Sequence, residues 1–177
     1  MNVIKTKLDG VLIIEPKVFG DERGFFLETF HTQRYHKEGM KLDFVQDNYS
    51  RSSFGVLRGL HFQKTKPQGK LVRVVKGEVF DVAVDIREGS TTFGEWEGVI
   101  LNEDNKRQFY VPPGFAHGFV VLSDTCDFEY KCTDYYDPSD EGCIIWSDPD
   151  LAIEWPVKDP QLSNKDSIAP LLKDLLK

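Results

Sequence analysis

Cysteine is scarce in this chain. Cys126, Cys132 and Cys143 are all it has, an odd number without a CxxC pair, which excludes a zinc ribbon and a complete disulfide framework. Long apolar runs are missing as well. No segment approaches the roughly 18 continuous apolar residues of a membrane span, and the opening MNVIKTKLDG lacks the apolar stretch of a signal peptide. The expectation is a reduced, soluble, cytoplasmic protein with no membrane partner. Positive charge is outnumbered, with 22 Lys and Arg against 29 Asp and Glu and a net charge of −7. That balance argues against nucleic acid as a partner, which would demand a basic face. A small anion is still allowed, because a few Arg and Lys in one pocket decide that locally.

At 177 residues the chain fits one domain, 1–177, with enough interior for a core. Its patterning is that of strands. VLIIEPKVF (11–19) and GFFLETF (24–30) are rich in β-branched and aromatic residues and are separated by the turn-forming GDERG. FVQDNYSRS (44–52) and VLRGLHFQ (56–63) follow, and KLVRVVKGEVFDVAVDIR (70–87) reads as two strands broken at Lys76-Gly77. In its second half Phe80, Val82, Val84 and Ile86 alternate with Asp81, Ala83 and Asp85, the period of a strand with two unlike faces. WEGVIL, QFYVPP, GFVVLS and CDFEYKCTDYY continue the series. Helix is predicted only for TQRYHKEGM (32–40) and for the tail from Lys165, where LLKDLL follows Pro170. The Pro-, Asp- and Ser-rich stretch between SDPDLAIEWP and VKDPQLSNKDS reads as an ordered surface loop. These features predict an all-β jelly-roll barrel with short helices near the C-terminus, a fold able to hold one small ligand.

Histidines are the natural candidates for chemistry. His61 in RGLHFQ shares a strand face with Gly59 and Gln63, while Leu60 and Phe62 point the other way. Taken alone it is a core residue, a metal ligand or a base. His117 follows the Pro-Pro-Gly turn of VPPGFAHGF, where packing or capping explains it equally well; His31 and His36 read as solvated. The two segments resemble the paired histidine motifs of the cupin superfamily. Metal-binding cupins carry H-x-H in the first segment, but here Gln63 takes the second position. Two imidazoles fall one short of the usual set, so no metal site is expected.

A closer resemblance spans about residues 16–170. FGDERGFFLETF, FVQDNYS, LRGLHFQ, QGKLVR, GEVFDVAVDIR, FGEWEGV, PPGFAHGF, DYYDPSDEG and LSNKD are similar, in this order, to the dTDP-4-dehydrorhamnose 3,5-epimerase family, a metal-free branch of the cupins. The resemblance implies a nucleotide-linked 4-keto-6-deoxy sugar as substrate, with protons at C3 and C5 flanking the ketone. Removing either proton leaves an enolate, and return from the other face inverts the carbon. The task needs a base, an opposed acid and a cation for the enolate oxygen, and no cofactor.

By the same resemblance His61 is the base, and Asp166 in SNKD orients it and favours its protonated form. Read locally, Asp166 is a helix N-cap or turn residue. Lys70 in QGKLVR is placed at the keto oxygen and Tyr130 in FEYKC is the acid, although the residues alone do not choose among Tyr130, Tyr135 and Tyr136. Arg23, Arg58 and Lys165 are implied as diphosphate ligands, with His117 lining the site and Glu141 as a further contact. Gln46 and Asn48 suit a pyrimidine edge. Phe26 suits stacking on its ring, beside Glu28. The implied assembly is a homodimer in which the strand bearing Arg23, Phe26 and Glu28 reaches the neighbouring subunit. Single-centre epimerases, a 3,4-ketoisomerase, a non-catalytic sugar binder and a metal-dependent cupin are the rival readings.

Overall fold

The alternating strand pattern closes into two facing antiparallel sheets in the computed structural model, which describes residues 1–41 and 43–175. In chain order the strands are β1 (Asn2–Lys5), β2 (Leu12–Glu15), β3 (Val18–Asp21), β4 (Gly24–Leu27), β5 (Gln46–Ser53), β6 (Leu57–Gln63), β7 (Lys70–Lys76), β8 (Glu78–Asp85), β9 (Trp96–Asn102), β10 (Gln108–Val111), β11 (Phe115–Val121), β12 (Thr125–Cys132) and β13 (Glu141–Cys143). Helix α1 covers Thr32–Lys37, α2 covers Asn164–Ser167, and a 3₁₀ turn covers Leu172–Asp174. One sheet runs β1-β2-β10-β7-β12-β5 and the other β13-β6-β11-β8-β9, while β3 and β4 form a separate hairpin. This is an all-β jelly roll of the cupin type, with α2 and the 3₁₀ turn near the C-terminus as expected. No helix among the described residues is long and apolar enough to cross a membrane.

The main core lies between the sheets. Val72, Val74, Phe109 and Phe128 from one side meet Val79, Ala83, Leu101, Phe115 and Phe119 from the other, all essentially out of water. At about 25 cal/mol per Å² of buried apolar surface, such a layer supplies most of the force holding the sheets together. A second cluster sits outside the five-stranded sheet, where Leu60, Val82, Val84, Ala116 and Ile144 pack under Leu151 and Leu172 of the C-terminal segment. The Pro- and Asp-rich loop is therefore an ordered cover. Strand β8 is buried on both faces, and its polar-looking face, Asp81 and Ala83, is the one aimed into the barrel.

Several predicted boundaries move, each for a local reason. The 11–19 run is two strands: Pro16 has no N–H for a ladder, so β2 ends before it and β3 departs into the hairpin. The strand expected over 24–30 ends at Leu27, and the one ending in CDFEYKCTDYY stops at Cys132. Helix α1 stops at Lys37 rather than reaching Met40, because Gly39 adopts φ +99°. It buries Tyr35, whose hydroxyl donates to Gln108 Oε1 at 2.7 Å. Strands β1 and β13 are additions that the pattern did not reveal. In the tail, Leu172 is buried within the 3₁₀ turn, and Leu176 and Lys177 lie outside the described residues.

Candidate active site

One wall of the site is a row across three strands. Cys143 of β13 pairs with His61 of β6, and His61 pairs with His117 of β11, so the three side chains share a face. A bulge adds a fourth member. Arg58 to His61 takes three steps along β6 while its partners His117 and Phe119 are two steps apart on β11. The extra residue shifts the alternation, and Arg58 joins His61 in lining the cavity, although strict alternation would separate them. Two glycines permit this. Gly59 has φ +133°, and a Cβ there would lie 2.6 Å from Cα of Gly118.

His61 Nε2 lies 2.6 Å from Asp166 Oδ1. Asp166 rides on α2 with its side chain only 3% exposed. The helix cap is Ser163, which accepts the Asp166 backbone N–H at 3.1 Å, so the carboxylate is free for His61. Burial pushes the Asp166 carboxyl up, but the hydrogen bond and charge of His61, with Ser163 and Cys143, outweigh it and hold the group below the usual carboxylate range. A fixed anion at that distance orients the imidazole, the arrangement of a general base. Cys143 contributes a contact of 3.6 Å from Sγ to Asp166 Oδ1, and burial next to that carboxylate pushes its thiol up to about 12.

The opposite wall belongs to the six-stranded sheet. Lys70 of β7 pairs with Cys132, and Tyr130 of β12 pairs with Val72, which makes Lys70 and Tyr130 diagonal neighbours on the inner face. Lys70 Nζ lies 6.0 Å from the centre of the Tyr130 ring. Between the walls is a cavity of about 150 Å³ lined by Ser50, Arg58, His61, Lys70, His117, Phe119, Phe128 and Tyr130. Arg58 and His61 also line an adjoining cleft of about 550 Å³ with Ser163, Lys165 and Asp166. Burial raises the Tyr130 phenol, reinforced by Cys132 and opposed by Arg58, so it holds its proton at neutral pH. Burial lowers the Lys70 ammonium, while Cys132, Asp81 and Glu141 favour its charged form.

Behind His117 stands a second histidine–carboxylate pair. His117 Nε2 is 2.8 Å from Asp81 Oδ1, and both residues are buried. Burial raises the Asp81 carboxyl against the pull of His117 and Lys70, and its Oδ2 has no hydrogen-bond partner among the described residues.

At the rim, Lys165 Nζ pairs with Glu141 Oε2 at 2.8 Å, and Tyr136 donates to the same oxygen at 3.2 Å. Burial would raise the Glu141 carboxyl, but Lys165 overcomes it and keeps the group ionised. Gln46 and Asn48 share the face of β5 with Ser50; Gln46 Nε2 donates to Asn48 Oδ1 at 3.1 Å, and Gln46 Oε1 accepts the Tyr136 N–H at 2.9 Å. Gln63 ties down the same loop, donating to the carbonyls of Lys66 and Tyr135 and accepting the N–H of Asp137.

Of the expected site residues, then, His61, Asp166, Lys70, Tyr130, Arg58, His117 and Lys165 line the two adjoining spaces, with Glu141, Gln46 and Asn48 at their margin. Tyr130 alone of the three candidate tyrosines faces the cavity, and Tyr135 is 66% exposed. Arg23, Phe26 and Glu28 are not brought to this site within one chain. Phe26 is 69% exposed on the hairpin, Arg23 pairs with Asp21, and Glu28, just past β4, pairs with Arg34 at 2.7 Å. Sequence reasoning missed Asp81, Ser50 and Cys143. A carboxylate amid the apolar run of β8 was the available signal for Asp81; Ser50 and Cys143 had none.

A family model described as dTDP-4-dehydrorhamnose 3,5-epimerase matches residues 5–174. The chain is 59% identical over 179 residues to a protein of that name from Salmonella typhimurium, covering 99% of this chain and 98% of the relative. It is also similar to the crystal structure of a dTDP-6-deoxy-D-glucose-3,5-epimerase from Legionella pneumophila in complex with dTDP-4-keto-L-rhamnose. The identity there is 61%, the TM-score 0.95, and the coverage 97% of this chain and 93% of that one. A 3'-monoepimerase from Streptomyces bikiniensis in complex with dTDP-quinovose shares 34% identity at TM-score 0.89, over 95% of this chain and 86% of its own.

Proposed function

The chain belongs to the dTDP-4-dehydrorhamnose 3,5-epimerase family, and from that premise we propose that it converts dTDP-4-dehydro-6-deoxy-D-glucose to dTDP-4-dehydro-L-rhamnose by inverting C3 and C5. It is an isomerase. His61, held by Asp166, takes the proton beside the ketone. The charge that develops on the keto oxygen is met by Lys70, and Tyr130 returns a proton from the far side and recovers its own from water. Atoms balance within the substrate and solvent, so no cofactor enters the scheme. The observation that carries this reading is the division of labour between walls, with the 2.6 Å His61–Asp166 pair on one sheet and Lys70 with Tyr130 on the other. Arg58 and Lys165 beside the outer cleft supply cations for a diphosphate.

The assembly belongs to the same proposal. Val18, Phe19, Phe25 and Phe26 expose apolar surface on one hairpin, a patch that calls for a partner. A second copy of the chain fits it, in a homodimer that carries Arg23, Phe26 and Glu28 to the neighbour's cleft, with Phe26 stacked on the pyrimidine. The three free cysteines suit a reducing cytoplasm.

NMR of dTDP-4-dehydro-6-deoxy-D-glucose turnover in D2O, coupled to a reductase that traps the product, tests the activity. Deuterium at both C3 and C5 of an L-rhamno product is expected. Exchange at C3 alone makes the protein a monoepimerase, a shifted ketone makes it a ketoisomerase, and no exchange makes it a binder. Light scattering tests the assembly: a dimer is expected, and a monomer that turns over fully refutes the shared site.

A further inference from the structure

His61, Cys143 and Asp166 present an imidazole nitrogen, a thiol sulfur and a carboxylate oxygen that all lie within 4.8 Å of one another. Cross-strand register, not chance proximity, creates this trio: β13 sets Cys143 directly opposite His61, and α2 delivers Asp166 onto both. We propose that these three residues capture a thiophilic divalent cation, Zn²⁺ or Cd²⁺, and that capture shuts the enzyme off reversibly.

The donors lie within 4.8 Å of one another, close enough for side-chain rotation to gather them on such an ion. Bond lengths of about 2.3 Å to sulfur and about 2.0–2.2 Å to nitrogen and oxygen place tetrahedral donors some 3.3–3.6 Å apart. The Sγ–Oδ1 separation of 3.6 Å already meets that. The His61–Asp166 pair, at 2.6 Å, has to open by under ~1 Å, a side-chain rotation with the hydrogen bond replaced by two metal bonds. His61 and Asp166 border the outer cleft, which gives the ion a route in and leaves a fourth position for water. On binding, the thiol gives its proton to solvent, and metal–sulfur, metal–nitrogen and metal–oxygen bonds form with no change of oxidation state. Nε2, the nitrogen that Asp166 holds, is then a ligand, so the neutral ring carries its one proton on Nδ1 and has no nitrogen left to take the substrate's; the ion competes with catalysis without assisting it. This site is distinct from a metal cupin's, because the His61 strand carries Gln63 where that class has its second histidine.

The inhibition rests on the proposed role of His61, whereas the binding does not, and the two are read separately. Co²⁺ added to the full-length protein should produce the near-ultraviolet thiolate-to-cobalt band at one equivalent, and Zn²⁺ should bleach it. Cys143→Ser should lack the band while Cys126 and Cys132 remain. Zn²⁺ should inhibit turnover, EDTA should restore it, and Cys143→Ser and Cys143→Ala, each scored against its own metal-free rate, should raise the half-inhibiting Zn²⁺ concentration by on the order of 10–100-fold. A band that survives in folded Cys143→Ser refutes the site. So does wild-type protein showing neither band nor inhibition, or inhibition equal in all three proteins. A band without inhibition keeps the site and refutes His61 as the base.

Discussion

Gly59→Ala is the substitution that best separates positioning from chemistry, because it touches no reacting group. The new methyl would lie 2.6 Å from Gly118 Cα and 2.9 Å from the His117 carbonyl oxygen, and the residue would keep φ +133°. Carbon–carbon contacts are comfortable near 3.5–4.0 Å, so two hydrogen-bonded strands must part by roughly 1 Å. A side chain in glycine-only backbone space costs about 1–3 kcal/mol, and overpacking adds about 1–3 kcal/mol. The expected loss of stability is therefore ~2–6 kcal/mol, read from urea midpoints. Gly118→Ala separates the two costs: its Cβ would lie 2.8 Å from the Arg58 carbonyl oxygen, with no positive φ, so only the packing part of about 1–3 kcal/mol applies. The bulge is what brings Arg58 and His61 to one cavity, so whatever Gly59→Ala protein folds should also turn over slowly, by about 10²-fold for an ångström of misplacement. Unchanged midpoints with full exchange in D2O for both variants would refute the claim that the two glycines hold this geometry.

Three further outcomes follow from the same structure. His61→Asn should lower deuterium uptake at C3 and C5 by about 10²–10⁴-fold while calorimetry still detects nucleotide-sugar binding; substantial exchange in that variant sinks the base assignment. Tyr130→Phe should reduce inversion at C5 more than proton removal, seen by NMR as deuterium washed in without L-rhamno product, and equal loss of both would count against the phenol as acid. Burial raises the Asp85 carboxyl but hydrogen bonds from Arg87, Ser90 and Thr92 outweigh it and leave the group depressed. Its contribution is therefore present above the unfolded value of about 3.9 and lost as the pH falls below it. Asp85→Asn should cost about 3 kcal/mol at pH 7, and urea midpoints should show that gap closing in acid.

Strand-level structure was legible because the period-2 pattern is strong from β5 to β12, and glycines or prolines mark most of the breaks. Boundaries failed where one residue overrode propensity, as Pro16 did in splitting 11–19. The polarity of β8 was misleading for a different reason. Alternation normally means one face in water, but here the C-terminal segment covers the apolar face and the barrel interior takes Asp81. His61 was visible as a candidate, yet its meaning depended on Asp166, 105 residues away. No local pattern could join them, and only the resemblance of whole motifs did. The residues alone did not separate Tyr130 from Tyr135 and Tyr136; the resemblance named it, and its place on β12, diagonal to Lys70, puts it in the cavity wall. Cys143 carried no signal at all, since its importance arises from a three-residue strand that pairs with β6.

A planar enolate has two faces, and a base and an acid that must address opposite faces cannot stand side by side on one strand. The jelly roll answers this by geometry: β6 and β11 present imidazoles from one sheet, while β7 and β12 present an ammonium and a phenol from the other. Each reagent is prepared by its own wall. Asp166 is kept anionic by its hydrogen bonds and so can orient His61, whereas burial keeps Tyr130 protonated. The same low-dielectric interior that raises the phenol also strengthens the pull of Lys70 on a developing oxyanion. With the proposed roles of His61 and Tyr130, inversion follows from their standing on opposite sheets.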